Sequence, residues 1–177
     1  MGHQKESNIY LLGFMGSGKS TLAPLLARRM GRTYFDTDDW IKDQMGKSIS
    51  QIFRGHGEKF FRGKERTCVQ MVTQMSNLVV ALGGGAVLDD DSWERVKDSG
   101  ITIYLKCSAE EIQRRVDPGN VRPLLVGDSH QRGQTIEALL AEREPRYAEA
   151  DLTVNAADGK SPEEIVELIL NEVEKEP

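Results

Sequence analysis

Short apolar runs alternate with longer amphipathic stretches along this chain, and the alternation predicts its elements. Residues 9–12, 33–35, 78–82, 101–105 and 152–154 are brief, largely apolar and rich in β-branched and aromatic side chains, the signature of strands covered on both faces. Helix-length patterns fall between them: Lys19–Met30, stopped by Gly31; 57–75, the longest; Asp90–Ser99, stopped by Gly100; and 109–116, with Ser108 as its cap. Ser161 followed by Pro162 starts a last helix, since the serine oxygen accepts a first-turn N–H and proline at the first position loses none that is needed. The expected fold is a three-layer α/β domain spanning 1–177, with a parallel sheet between helices.

One stretch departs from the alternation. Residues 117–133 carry Asp, Pro, Gly and Asn, then Gly-Asp-Ser and a further Gly, with few apolar positions. That is too long for an ordinary connection and predicts a mobile lid, with a variable surface loop as the other reading. The acidic residues between 163 and 174 read as the solvated face of the last helix.

Composition narrows the function classes. The chain has 177 residues, 38% of them hydrophobic, and 17 glycines, which suits one globular domain and excludes wholesale disorder. With 23 Lys+Arg against 28 Asp+Glu the net charge is −5, so a generic grip on nucleic acid or anionic membrane is disfavoured and any anion site must be local. Cys68 and Cys107 match no zinc or redox spacing, which fits a reducing compartment. No apolar run approaches the roughly 18 residues that cross a bilayer, and the polar start lacks a signal-peptide core. A soluble cytoplasmic monomer without nucleic-acid or membrane partners is the expectation. His3, His56 and His130 are scattered and form no ligand set.

The chemistry begins at Gly13-Phe14-Met15-Gly16-Ser17-Gly18-Lys19-Ser20-Thr21, which follows a predicted strand and opens a predicted helix. By residue frequency alone the pattern Gly-x4-Gly-Lys-Ser/Thr arises about once in a hundred chains of this length, and the context makes chance rarer. Glycines let successive N–H groups curl around a phosphate at a helix N-terminus. Lys19 then reaches the β/γ oxygens, the Ser20 hydroxyl can ligate Mg²⁺, and Gly16, Ser17, Gly18 and Thr21 complete the cradle. Pro24, early in this helix, removes one backbone bond and predicts a slight adjustment without a break.

The second strand delivers Phe35-Asp36-Thr37-Asp38 to the same carboxyl edge of the sheet, where open α/β folds bind ligands. Each aspartate can be a helix N-cap; beside a P-loop lysine the pair also suits metal and acceptor roles. The third strand ends in Gly83-Gly84-Gly85 where many P-loop proteins carry an aspartate.

With these pieces, Gly57-Glu58, Phe61-Arg62, Glu65, Arg122-Pro123-Leu124-Leu125, Glu142-Arg143, Pro145 and Tyr147 run in an order that resembles the shikimate kinases. The resemblance implies an ATP-dependent kinase phosphorylating the 3-hydroxyl of shikimate in aromatic amino-acid biosynthesis, with strand order 2-3-1-4-5. It implies that Asp38, Arg62, Gly84 and Arg143 hold shikimate, with a substrate-binding region of about 37–66 and the glycine triplet 83–85 contributing. Asp36 would act with Ser20 around Mg²⁺, Arg122 would come down on a lid over 117–133, and Arg115 would stack near adenine with Pro162 opposite.

Elementary chemistry supports such a site. A carboxylate with three hydroxyls needs a guanidinium fork for the acid, which Arg62 and Arg143 suit, and acceptors for the hydroxyls, which Asp38 supplies. Glu65, three residues after Arg62, shares its helical face and can orient it. A side-chain-free Gly84 admits backbone to a sugar-like ring, though plain turn chemistry also explains it. Phe53 and Phe61 wall the ring or belong to the core. Lys19, Arg62, Arg115, Arg122 and Arg143 are expected to converge on one cleft, so that an acidic chain holds two small anions locally.

Two departures from the family pattern are Ala23-Pro24, where glycine and a basic residue are usual, and Gly63 inside a predicted helix, costing about 1 kcal/mol relative to alanine. Rival readings fare worse. Gluconate and nucleoside monophosphate kinases share the P-loop and lid but not this ordered set. A GTPase needs an Asn-Lys-x-Asp segment, which is absent. A nucleotide-binding module without catalysis does not need Lys19, Asp38 and Arg122 together.

Overall fold

The structure, a computed structural model, describes residues 7–116, 123–125, 127–156 and 159–175. Five parallel strands, β1 (Asn8–Leu12), β2 (Thr33–Asp36), β3 (Leu78–Ala81), β4 (Gly100–Lys106) and β5 (Leu152–Asn155), form one sheet in the order β2-β3-β1-β4-β5. The central strand β1 is buried along its whole length and pairs Ile9 with Val79 on one side and Ile101 on the other.

Two-sided burial explains the unalternating strands. Tyr10, Leu12, Val80 and Leu82 face a core completed by Val69, Trp93, Ile136 and Tyr147. Ile9, Leu11, Val79 and Ala81 face the opposite core, under Leu22, Leu26, Ile165 and Ile169. The second layer is made by α1 (Lys19–Met30) and α8 (Pro162–Val173); the first is made by α4 (Glu58–Val72), α5 (Asp90–Ser99), α6 (Ala109–Arg115) and α7 (Ser129–Tyr147). A small satellite core of Ile41, Ile52 and Phe61 joins α2 (Thr37–Met45) and α3 (Ile49–His56) to α4.

Local chemistry sets the boundaries. Gly31 and Gly46 end α1 and α2 at φ 64° and 59°, the left-handed C-cap that glycine adopts without strain. Ser48, Ser108 and Ser161 cap α3, α6 and α8 as N-terminal acceptors. Helix α1 runs through Pro24 unbroken. Gly63 sits in α4 with open space where a Cβ would be, so nothing offsets its propensity cost there.

The structure revises three expectations. Helices α2 and α3 precede α4, which begins at Glu58 and ends at Val72 instead of spanning 57–75. Residues 129–133, expected within an irregular segment, belong to α7, whose start is set by a reciprocal capping box between Asp128 and Gln131. The period of α7 is weak because Gly133 and Pro145 interrupt it and because one of its three buried side chains is Arg143. Arg122, with residues 117–121 and 126 of the expected lid, lies outside the described residues. Cys68 and Cys107 are both buried and unbridged, and among the described residues no helix is long and apolar enough to cross a membrane.

Candidate active site

Beyond β1 the chain turns into α1 through Gly13, Gly16 and Gly18, at φ 144°, 79° and 101°. A Cβ on Gly13 would also lie 2.8 Å from the Leu105 carbonyl oxygen, so glycine is required there twice over. Gly18 is the N-cap of α1 and no side chain caps the helix, leaving its first-turn N–H groups to an anion. The buried Lys19 ammonium donates to the carbonyls of Gly13 at 2.7 Å and Phe14 at 2.8 Å. Gly16, Gly18 and Lys19 line a cleft of about 530 Å³ that Arg115, Lys160 and Pro162 also line. The Arg115 guanidinium is fixed by Glu111 and by the Ala156 carbonyl.

The two carboxylate oxygens of Asp36 have different partners. Its Oδ1 caps α2, accepting from the N–H groups of Asp38 and Asp39, while Oδ2 accepts from the Ser20 hydroxyl at 2.7 Å and the Tyr34 hydroxyl at 3.2 Å. Hard oxygen donors beside a phosphate cradle fit Mg²⁺, which keeps water and substrate phosphates as its remaining ligands.

A second, smaller pocket of about 50 Å³ adjoins the cleft and is lined by Ile49, Phe53, Phe61, Arg62, Glu65, Gly85, Pro123, Leu124 and Arg143, with Met15, Asp38 and Gly84. The last three line the nucleotide-sized cleft as well, so they mark the junction of the two compartments. A further cavity of about 450 Å³ continues past Arg62 and Arg143 between α4 and α7.

Arg62 is pinned from its own helix, by Glu65 at 2.5 Å and by Glu58 at 3.1 Å. Arg143 is 4% exposed, lies 5.5 Å over the Phe14 ring, and its Nε has no hydrogen-bond partner among the described residues. Phe53 and Phe61 pack with ring centroids 4.8 Å apart, so they are satellite core and pocket wall together.

The glycine triplet has a packing reason invisible in the sequence. A Cβ on Gly83 would meet the Glu65 and Asp38 carboxylates at 2.7 and 2.8 Å, and one on Gly85 would lie 2.2 Å from an Arg62 nitrogen. Gly84 has only ordinary contacts at that point, leaving its surface open at the junction.

The shikimate kinase family profile matches residues 15–174. A shikimate kinase from Synechococcus sp. (strain RCC307) is 43% identical over 169 residues, covering 94% of this chain and 84% of the relative. The chain belongs to the shikimate kinase family. Its fold superimposes on the solved shikimate kinase from Acinetobacter baumannii in complex with shikimate with a TM-score of 0.92 at 33% identity, covering 98% of this chain and 97% of that one. A gluconokinase from Sinorhizobium meliloti, at 18% identity and TM-score 0.61, shares the fold alone.

Of the residues expected of a shikimate kinase, Lys19, Ser20, Asp36 and Arg115 stand in the larger cleft, and Arg62, Glu65, Phe53, Phe61 and Arg143 stand in the smaller pocket. Among the described residues, the cations expected in one cleft therefore stand in two compartments that adjoin at Met15, Asp38 and Gly84. Sequence reasoning did not single out Lys160 or Thr37. Thr37 is buried and its Oγ1 accepts from the Gly83 N–H at 2.8 Å, tying the ends of β2 and β3 together; its place between two aspartates was the available signal.

Burial pushes the Glu65 carboxyl up to about 7, and the neighbouring Asp38 charge adds to this, against the pull of Arg62 and Arg143. The folded value lies above the ordinary 4.5, so this residue's stabilising contribution is full below that pH and is lost as pH rises through about 7. The loss is on the order of 3 kcal/mol. Urea unfolding of the wild type and of Glu65→Gln from pH 4.5 to 8 should show the wild type losing stability relative to the variant as pH rises. A constant difference across that range contradicts the assignment.

Proposed function

We propose that the chain transfers the γ-phosphoryl group of ATP to the 3-hydroxyl of shikimate, with the P-loop cleft holding ATP and the smaller pocket holding shikimate. The observation that carries this reading is the shared lining of Met15, Asp38 and Gly84, which puts one carboxylate where the two compartments meet.

In this arrangement Arg62 and Arg143 receive the shikimate carboxylate as guanidinium donors. Asp38 accepts a hydrogen bond from the reacting hydroxyl and orients it toward the phosphoryl group. Phosphoryl transfer passes through a loose transition state, so positioning outweighs strong base catalysis. Lys19 lies against the spreading negative charge, which is the dominant contribution in this class of reaction. Ser20 and Asp36 would hold Mg²⁺, which neutralises phosphate charge when bound. Arg115 and Pro162 take the adenine side, and the resemblance gives Arg122 to the transferring phosphoryl from a lid that excludes water.

The test is a coupled assay of ADP release with ATP, Mg²⁺ and a series of acceptors. Turnover should depend on added shikimate and be at least about a hundredfold lower with gluconate or AMP, neither of which presents a carboxylate and ring hydroxyls in shikimate's arrangement, so that polar groups of the pocket are left unpaired. Equal turnover with either would overturn the acceptor assignment.

A further inference from the structure

Tyr147 lies one helical turn beyond Arg143 on α7, so the two side chains share a face. It is fully buried, with its ring 5.3 Å from that of Tyr104. Its hydroxyl donates to the Gly84 carbonyl at 2.5 Å and lies beside the Arg143 guanidinium, whose charge acts on it. On the other side of the triplet, Thr37 accepts from the Gly83 N–H.

Resting on the reading of Arg143 as a carboxylate ligand, we propose that Tyr147 is a positioning residue for the acceptor. Its hydroxyl fixes the Gly84 carbonyl and the Arg143 guanidinium relative to one another. Because the peptide group is planar, holding that carbonyl also sets the direction of the Gly85 N–H. A buried tyrosine hydroxyl needs a partner anywhere it sits; here the partner is the Gly84 carbonyl, with the Arg143 guanidinium as neighbour, and the two come from distant parts of the chain. Burial pushes the phenol up to about 12, so it keeps the proton it donates at any working pH.

The experiment compares Tyr147→Phe with Tyr104→Phe, which removes the hydroxyl of the neighbouring tyrosine. Tyr147→Phe is expected to raise the shikimate KM about tenfold, the scale of one buried hydrogen bond, with the ATP KM and kcat within about twofold. Tyr104→Phe is expected to leave the shikimate KM unchanged. Equal changes in both KM values, a lowered Tm with an unchanged shikimate KM, the same effect from Tyr104→Phe, or a Tyr147→Phe chain that does not fold each overturns the proposal. Arg143→Ala separates it from the reading beneath it. If Arg143→Ala weakens shikimate and Tyr147→Phe does not, positioning fails alone; if neither does, the placement of shikimate fails too.

Discussion

Replacing Lys19 by alanine is expected to lower kcat by about a thousandfold. The ammonium is buried against the loop by the carbonyls of Gly13 and Phe14, so it approaches the phosphates without first being stripped of bulk water. Charge set in place in this way acts on the transition state without reorganising at the moment of transfer. The P-loop shape itself rests on the positive φ angles of Gly13, Gly16 and Gly18, which the substitution leaves alone. Circular dichroism and Tm should therefore stay near wild type, and ATP affinity measured by calorimetry should fall far less than kcat. A kcat within tenfold of wild type would remove Lys19 from the proposed chemistry.

Arg143→Ala is expected to act on the other compartment, raising the shikimate KM roughly a hundredfold while the ATP KM stays within about threefold. Truncating one member of a buried charged contact costs about 2–5 kcal/mol, largely because its partner is left unpaired. Arg143 lines the smaller pocket and does not line the P-loop cleft, which is why the two substrates should respond differently. Arg143→Lys keeps the charge but loses the planar fork, so it should recover only part of the loss. Steady-state kinetics with each substrate varied in turn distinguishes these outcomes. A rise confined to the ATP KM would contradict the placement.

These two residues differ in how they could be read. Lys19 was legible in the sequence because the P-loop is contiguous: strand, glycine turn, lysine and helix start act on one another across a few residues, and the spacing alone carries the chemistry. The five strands, and helices such as Lys19–Met30 and Asp90–Ser99, were legible for the same reason, through local periodicity and glycine stops. Arg143 was reachable only through resemblance to the family. Its helix α7 presents a charged side chain to the interior, so hydrophobic periodicity fails there, and α2 and α3 are too short for a clear period.

The sequence by itself determined the parallel α/β class, the phosphate cradle and the carboxylate pair at the sheet edge, because these follow from interactions between near neighbours along the chain. Only the tertiary structure decided that one oxygen of Asp36 caps α2 while the other meets Ser20. It also decided that a Cβ on Gly83 or Gly85 would meet the side-chain ends of Glu65, Asp38 and Arg62, that the Tyr147 hydroxyl reaches the Gly84 carbonyl, and that among the described residues the cations line two adjoining compartments. Each of these is a contact between groups far apart in sequence, set by close packing of whole elements, which no local pattern encodes.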